Sequence, residues 1–523
     1  MRIIMKTSIY KFLLGFSLII QSHVIQAEEP KGLLTLERAK ILYPWLTSKN
    51  AAGLTVNDFG SLSQVNGGVE FVTGDYKRVD DPEVMAKASV GTESFLSGRD
   101  IFFYGSFNFD HIEKRGQAWS GTIKPRSVIN MMTDSIPGRV TGENYRISAG
   151  VGYRVNKTLS AGIGFDYETA TAAKRVDGRN RNVASSIEVR PSVTIRKGGF
   201  MAGASLLYRH DAERADYIFL GDVTGKHIYN FQGGWMFVRE GITNSTVMDR
   251  GYFSDYYGAS LQGSFFSGNT ALYGELTAEY GNENDFDDYN ILRRYAFIES
   301  MNLSMNAGIT ITGNLTKHLI KLHAGFKERL SYKIENLYEQ VPGEVNTWSW
   351  FEYGMTLRYY DKFEKYTGSY SMEVGGSRWN PDWVFTLSGV VDRFFGEFIV
   401  YPSYYLQEIN CAGGELSANR NFAIGKRSIL DISLSGGASK GWGEMMDIRN
   451  EIESGNLKIA SNLLESDYNH TTSGRMIMGG GVKYRYSISD KKETTLFVNA
   501  GFRQIQRRGS SRSLISVSLG LLF

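Results

Sequence analysis

Along most of the chain apolar and polar residues alternate one by one, which is the period of a strand with two unlike faces. The final segment is the clearest case. Ile515, Val517, Leu519, Leu521 and Phe523 fall on one face, and Ser516, Ser518 and Gly520 on the other. Tyr145, Ile147, Ala149, Val151 and Tyr153 interleave with Arg146, Ser148, Gly150, Gly152 and Arg154. After the tight turn Val155-Asn156-Lys157-Thr158, the same alternation runs through Leu159, Ala161, Ile163, Phe165 and Tyr167. It returns at Met301, Leu303, Met305, Ala307, Ile309 and Ile311, and at Phe351, Tyr353, Met355, Leu357 and Tyr359.

The connections sort into two classes. Short ones are expected near 97–100, 155–158, 197–199, 267–270, 313–315, 361–366, 392–395, 425–427 and 489–493, and long ones at 113–143, 170–185, 211–254, 282–297, 332–349 and 439–474. Strands tipped with aromatics, short turns on one side and long loops on the other define a transmembrane β-barrel with periplasmic turns and extracellular loops. The predicted fold is all-β, an antiparallel up-and-down barrel of about 20 strands, within a range of 16 to 20. The segment 377–427 is the hardest to parse, because Pro381 and Pro402 interrupt its candidate strands. A soluble propeller or sandwich shows similar alternation but does not explain the two loop classes together with the chain ends.

Those ends sharpen the picture. Arg2, Lys6 and Lys11 precede a short apolar run from Phe12 to Ile20, and Ala27 ends a cleavable export signal over residues 1–27. The run is shorter than the roughly 20 residues of a helical span. Residues 28–60 form a periplasmic or lumenal segment in which Leu34, Leu36, Ala39, Ile41 and Leu42 mark a short amphipathic helix, and 61–523 form the barrel. Cys411 is the single cysteine, so there is no N-terminal lipidation site and no intramolecular disulfide. A mean hydropathy of −0.26 is what alternating lipid-facing and lumen-facing residues average to. A formal charge of +3 gives no argument for nucleic acid as a partner.

The alternating last strand that ends in Phe523 resembles the C-terminal signature of Gram-negative outer-membrane barrels, a resemblance that implies recognition by the barrel-insertion machinery and outer-membrane lipid as the surroundings. Asn50-Ala51-Ala52-Gly53-Leu54 is similar to the Asn-Pro-Ala-Gly-Leu run of the long-chain fatty-acid transporter family, with Ala51 in place of the proline. That likeness implies an N-terminal hatch folded into the lumen. The chain also resembles uncharacterised outer-membrane barrels encoded beside TonB-dependent receptors and surface lipoproteins, which suggests either as a partner. Strands beginning by Leu62 leave no room for a receptor plug domain.

Apolar positions facing lipid place Arg146, Arg154, Asp166, Glu168, Glu188, Arg190, Arg196, Arg209, Glu275, Glu279, Lys321, Lys327, Arg329, Glu352 and Arg358 in the lumen, a charged interior with neither sign dominant. Asp110-His111 and His210-Asp211 sit at strand ends, but neighbours in a strand point to opposite faces and form no dyad by themselves. No histidine spacing suits a metal, and no cofactor or catalytic residue is expected. Asn282-Glu283-Asn284-Asp285-Phe286-Asp287-Asp288 is acidic, but without the glycine and distal glutamate of a calcium loop it reads as a hydrated loop. Segment 211–254 carries Tyr217, Phe219, Tyr229, Phe231, Trp235 and Phe237, too apolar for a solvated loop, so it folds inward, packs on extended strands or docks on a partner. The expected function is passage of small solutes through the lumen. The alternatives are a plugged accessory barrel and, last, a rim-sited hydrolase.

Overall fold

A computed structural model describes residues 35–523 except 57, 125–126, 177, 221, 223, 243–247, 288–292, 401–402, 426, 450–456 and 489–493. The expected signal over 1–27 lies outside them. Eighteen antiparallel strands close into one barrel. Its seam joins the first strand, Leu62–Gly74, to the last, Ser510–Leu522, with Val65 opposite Leu521 and Phe71 opposite Ile515. Closure leaves no backbone edge unpaired, the condition for a sheet surrounded by hydrocarbon.

The alternation read from the sequence sets the two faces. Ile515, Val517, Leu519 and Leu521 are 40–61 % exposed on the outside, and equivalent residues continue around the barrel as an apolar band. Tyrosines rim it towards the loop end, with Tyr208 and Tyr257 5.3 Å apart between ring centres and Phe109 and Tyr145 4.9 Å apart. Such a band is stable only against lipid. Among the described residues no helix is long and apolar enough to cross a membrane; the strands are the spanning elements.

The count of 18 falls inside the expected range. Two connections expected from sequence, 361–366 and 392–395, are strand interiors, within Trp348–Val374 and Trp383–Val400. The run Asp361-Lys362-Phe363-Glu364-Lys365 looks like a polar break, yet its members divide between faces. Asp361 pairs inward with Arg329, while Lys362 pairs with Glu364 at 2.6 Å. The turn is 375–382, where Gly375 and Gly376 have positive φ and Pro381 needs no ladder partner. A bulge opposite Ser331 and Tyr332 shifts the register of Trp348–Val374. Tyr359, expected on the lipid face, is therefore turned inward and buried.

Two structures occupy the lumen. At the short-turn end, helix α1 (Leu36–Leu42) and the 3-10 turns Pro44–Thr47 and Ala51–Val56 lie across the barrel as a floor. Thr35 caps α1, its side chain accepting from the Arg38 amide. Leu36, Ala39, Tyr43, Leu46 and Leu54 pack on Phe95, Phe102 and Leu522 of the wall. At the loop end, a small sheet of Leu457–Ile459, Met236–Gly241, His227–Phe231 and Met132–Thr133 forms a roof. Of the aromatic segment 211–254, the two ends extend the barrel strands Phe200–Ile218 and Met248–Ser267, and the described residues between them fold inward, burying Phe231 and Phe237. Helix α2 (Ser461–Thr472) packs beside it against Ser403–Ile424 and Ser428–Arg449, within a stretch expected to be a loop.

Candidate functional site: the floored lumen

The floor fits the wall through glycines. Gly150, Gly152 and Gly162 occupy inward positions where the alternation would otherwise place side chains. A Cβ on Gly162 would meet the Ala52 amide nitrogen, and one on Gly152 the Ala51 carbonyl. Asn50, 1 % exposed, anchors the same turn. Its Nδ2 donates to the carbonyls of Val193 (3.0 Å) and Ala204 (3.3 Å) and to Gln262 Oε1 (2.9 Å). The Ala52 amide donates to Ser192 Oγ at 3.1 Å, and Arg154 donates to the Thr55 carbonyl at 2.9 Å. The five residues of the Asn50–Leu54 run are therefore the docking element of the floor.

Charged contacts complete it. Arg38 grips Glu373 with both guanidinium ends and donates to the Arg378 carbonyl, all within the short-turn mouth. Lys40 pairs with Glu93 at 2.6 Å, Lys49 reaches up to Glu188 at 3.1 Å, and Trp45 Nε1 donates to Ser264 Oγ at 2.9 Å. Sequence reasoning missed Arg38 and Glu373. Arg38 looks like the polar side of a short helix, and Glu373 lay beyond the false break at 361–366.

Most of the charges expected in the lumen are brought together above the floor. Arg146 bridges Asp110 (3.5 Å) and Glu168 (3.8 Å). Arg190 pairs with Asp166 and Glu188, and Arg209 with Glu188 (3.5 Å), Asp211 (3.2 Å) and Glu279 (3.4 Å). Glu275 accepts from the Lys49 amide at 2.8 Å and from Gln262. Arg329 holds Asp361 and donates to the Ser127 carbonyl at 2.8 Å, tying wall to roof. Lys327 has no carboxylate within ion-pairing distance among the described residues. Glu352 and Arg358 stand apart from this network: Glu352 is exposed and pairs with Arg294 at 3.2 Å, and Arg358 pairs with Glu335 at 3.5 Å.

The roof is anchored by Arg250, 1 % exposed, which holds Asp287 at 2.6 Å, donates to the Asn130 carbonyl and stacks on Tyr295. Asp285 accepts from Asn130 at 2.9 Å. These two acids belong to the stretch expected as a hydrated loop. They lie instead in the strand Thr270–Asp287, because each has a buried partner; Asp288 lies outside the described residues. Against the floor residues Lys40, Ile41, Pro44 and Thr47, and walled by strands from Thr270 to Arg507, is a cavity of about 700 Å³.

The rim histidines do not converge. His210 meets Asp255 across the strand pair at 2.9 Å, and His111 lies 3.7 Å from Glu143. Among the described residues no serine, threonine or cysteine side chain bonds to either histidine. Phe523 closes the seam, its amide and carbonyl both bonded to Ser63 (2.9 and 2.7 Å).

A closed barrel with a lipid-facing band and a lumen filled from its own N-terminal side defines a transmembrane β-barrel of the outer-membrane type. The chain belongs to a family described as a family of unknown function (DUF6850), matched over residues 51–523. No curated protein matches it. Solved structures that resemble it include the ferric preacinetobactin receptor BauA of Acinetobacter baumannii, with 12 % identity over 88 % of this chain and 79 % of that one at a TM-score of 0.36. The RagAB peptide importer aligns at 6 % identity over 88 % and 87 % with a TM-score of 0.37, and the monoaromatic hydrocarbon channel CymD at 11 % over 90 % and 90 % with a TM-score of 0.29. Likeness at this level says nothing of cargo or partners.

Proposed function

We propose that the protein is a gated transporter of the Gram-negative outer membrane that moves a small solute through its lumen and is opened by displacement of its floor. The observation that carries this reading is the way residues 35–56 are held. They are a local stretch of chain, not a barrel strand, seated in a glycine-lined groove by hydrogen bonds and ion pairs that can break without opening the wall. Above them is space for a solute and a set of charged side chains to meet it. In this reading residues 1–27 direct export, and Arg146, Arg154, Asp166, Glu168, Arg190, Arg209, Glu275, Glu279, Lys327 and Arg329 line the path. A permanently open pore is the less favoured form of the expected channel, since floor and roof both stand in the way.

The second reading is an accessory barrel that serves a TonB-dependent receptor or surface lipoprotein. The deep packing of the roof around Arg250 favours it. Single-channel recording in planar bilayers separates the two. The full-length protein is expected to be silent and a variant lacking residues 35–56 to conduct in discrete steps. Silence of both, with the deleted barrel still folded, would remove the transport reading and leave the accessory one.

A further inference from the structure

The lumenal cavity has an uneven charge. On the wall formed by strands between Gly138 and Asp287, the ion pairs gather around Glu188 and Arg209, away from the cavity lining, and Glu275, which does line the cavity, is turned to the Lys49 amide, Ser260 and Gln262 rather than to a cation. On the opposite wall the acids are engaged by particular partners: Glu373 by Arg38, Asp361 by Arg329, and Glu415 by Arg503. Lys321 lines the cavity and is exposed to it. Lys365 lies on the same inner face, two residues above the cavity-lining Thr367, and is likewise exposed. Neither has a carboxylate within ion-pairing distance among the described residues. Arg475, at another edge, bonds among the described residues to neutral acceptors, including the Tyr76 hydroxyl and the His470 carbonyl.

Among the described residues one acid on this wall of the cavity has no cation in ion-pairing distance. Asp392 lies across the strand pair from Lys365, and its Oδ1 is buried without a hydrogen-bond partner. Two lysines and an arginine against one carboxylate leave the wall positive, in a confined space where charges are poorly screened. The surrounding side chains are hydroxyls, Thr367, Ser369, Ser388 and Ser439, which donate readily to oxyanions.

We propose that this cavity binds a small oxyanion, a solute bearing several carboxylate or phosphate groups, with Lys321 and Lys365 as its charged contacts and the wall hydroxyls as further donors. Asp392 opposes the bound charge and keeps affinity moderate, as a site that must release its solute requires. As a binding site the cavity stands on its own; as a station on a transport path it rests on the transport reading above.

The test is isothermal titration of citrate and of inorganic phosphate into the full-length protein in detergent at low salt, with choline chloride as the cationic control. At least one anion is expected to bind. Lys321→Gln with Lys365→Gln should weaken it about tenfold or more, the factor for losing charge-assisted contacts, and Asp392→Asn should tighten it. Repeating the titration with Gly162→Leu, which displaces the floor, removes restricted entry as a reason for silence. No binding to either protein, or unchanged affinity in the lysine variant, overturns the proposal. Anion binding in a barrel that stays electrically silent without its floor would overturn the transport reading alone.

Discussion

A Cβ placed on Gly162 would lie 2.4 Å from the backbone nitrogen of Ala52, so wall and floor meet where no side chain fits. The clash is with backbone, which cannot rotate away as a flexible side chain would. Gly162→Leu is therefore expected to unseat the turn Ala51–Val56, with an overpacking penalty of about 1–3 kcal/mol on the docked floor. The wall should persist, because the leucine would point into the lumen. Conductance steps from a barrel that still migrates as folded on an unheated gel are the expected outcome; a silent, folded variant would show that this contact does not hold the floor.

Arg38 and Glu373 test the other end of the same element. Both side chains are under 10 % exposed, at 9 % and 7 %. Removing one partner of a buried pair leaves a charge without compensation, at about 3–5 kcal/mol. Arg38→Ala should make residues 35–56 susceptible to limited proteolysis at protease levels that leave the wild type intact. Adding Glu373→Gln should recover part of the protection, since the stranded charge is then gone. Equal cleavage of Arg38→Ala and wild type would show that the pair does not contribute.

His470, in α2 and outside the membrane band, stacks on Tyr76 at 4.3 Å. Burial, with Arg78 and Arg475 nearby, pushes its pKa down from 6.5 to about 4. The undocked state therefore binds more protons than the docked one between these values, and docking strengthens as pH rises through that window. Amide protection in Ser461–Thr472, taken as the exchange rate relative to an unstructured peptide at the same pH, should be greater at pH 7 than at pH 5, with His470→Gln flattening the difference. Protection factors that do not change with pH in the wild type would contradict this.

Phe523 and Ser63 exchange two backbone hydrogen bonds at the seam. Truncation after Leu522 is expected to slow assembly into lipid vesicles several-fold and leave a larger unfolded fraction, because the last ladder contacts between first and last strands are lost. Replacing Phe523 by Ala keeps the backbone bonds. If the side chain is also read by the insertion machinery, that variant should refold normally in vesicles yet insert poorly in cells. Normal cellular insertion would remove the recognition role and leave the seam.

Much of the fold was legible because a barrel strand records its environment with period two. Ile515 to Leu521 lie on the apolar outer face as read, and Arg146, Asp166, Glu168, Arg190 and Arg209 all find ion-pair partners on neighbouring strands. The reading failed where the period shifts. One bulge in Trp348–Val374 turned Tyr359 inward, and the charges of 361–365 passed for a turn because they divide between the two faces of one strand. The floor was only partly legible. Asn50–Leu54 stood out through its likeness to a hatch, whereas Arg38 and Glu373 are 335 residues apart and nothing local links them.

The sequence by itself determined that this chain crosses the membrane with strands, and which face of most strands meets lipid. Those properties depend on residues close to one another in the chain. Only the tertiary structure decided that the lumen is floored and roofed, that Gly162 makes room for Ala52, and that Lys321 and Lys365 have no acidic partner among the described residues. Such pairings are fixed by the closure of 18 strands around one axis, which brings distant segments together across a space that no local pattern describes.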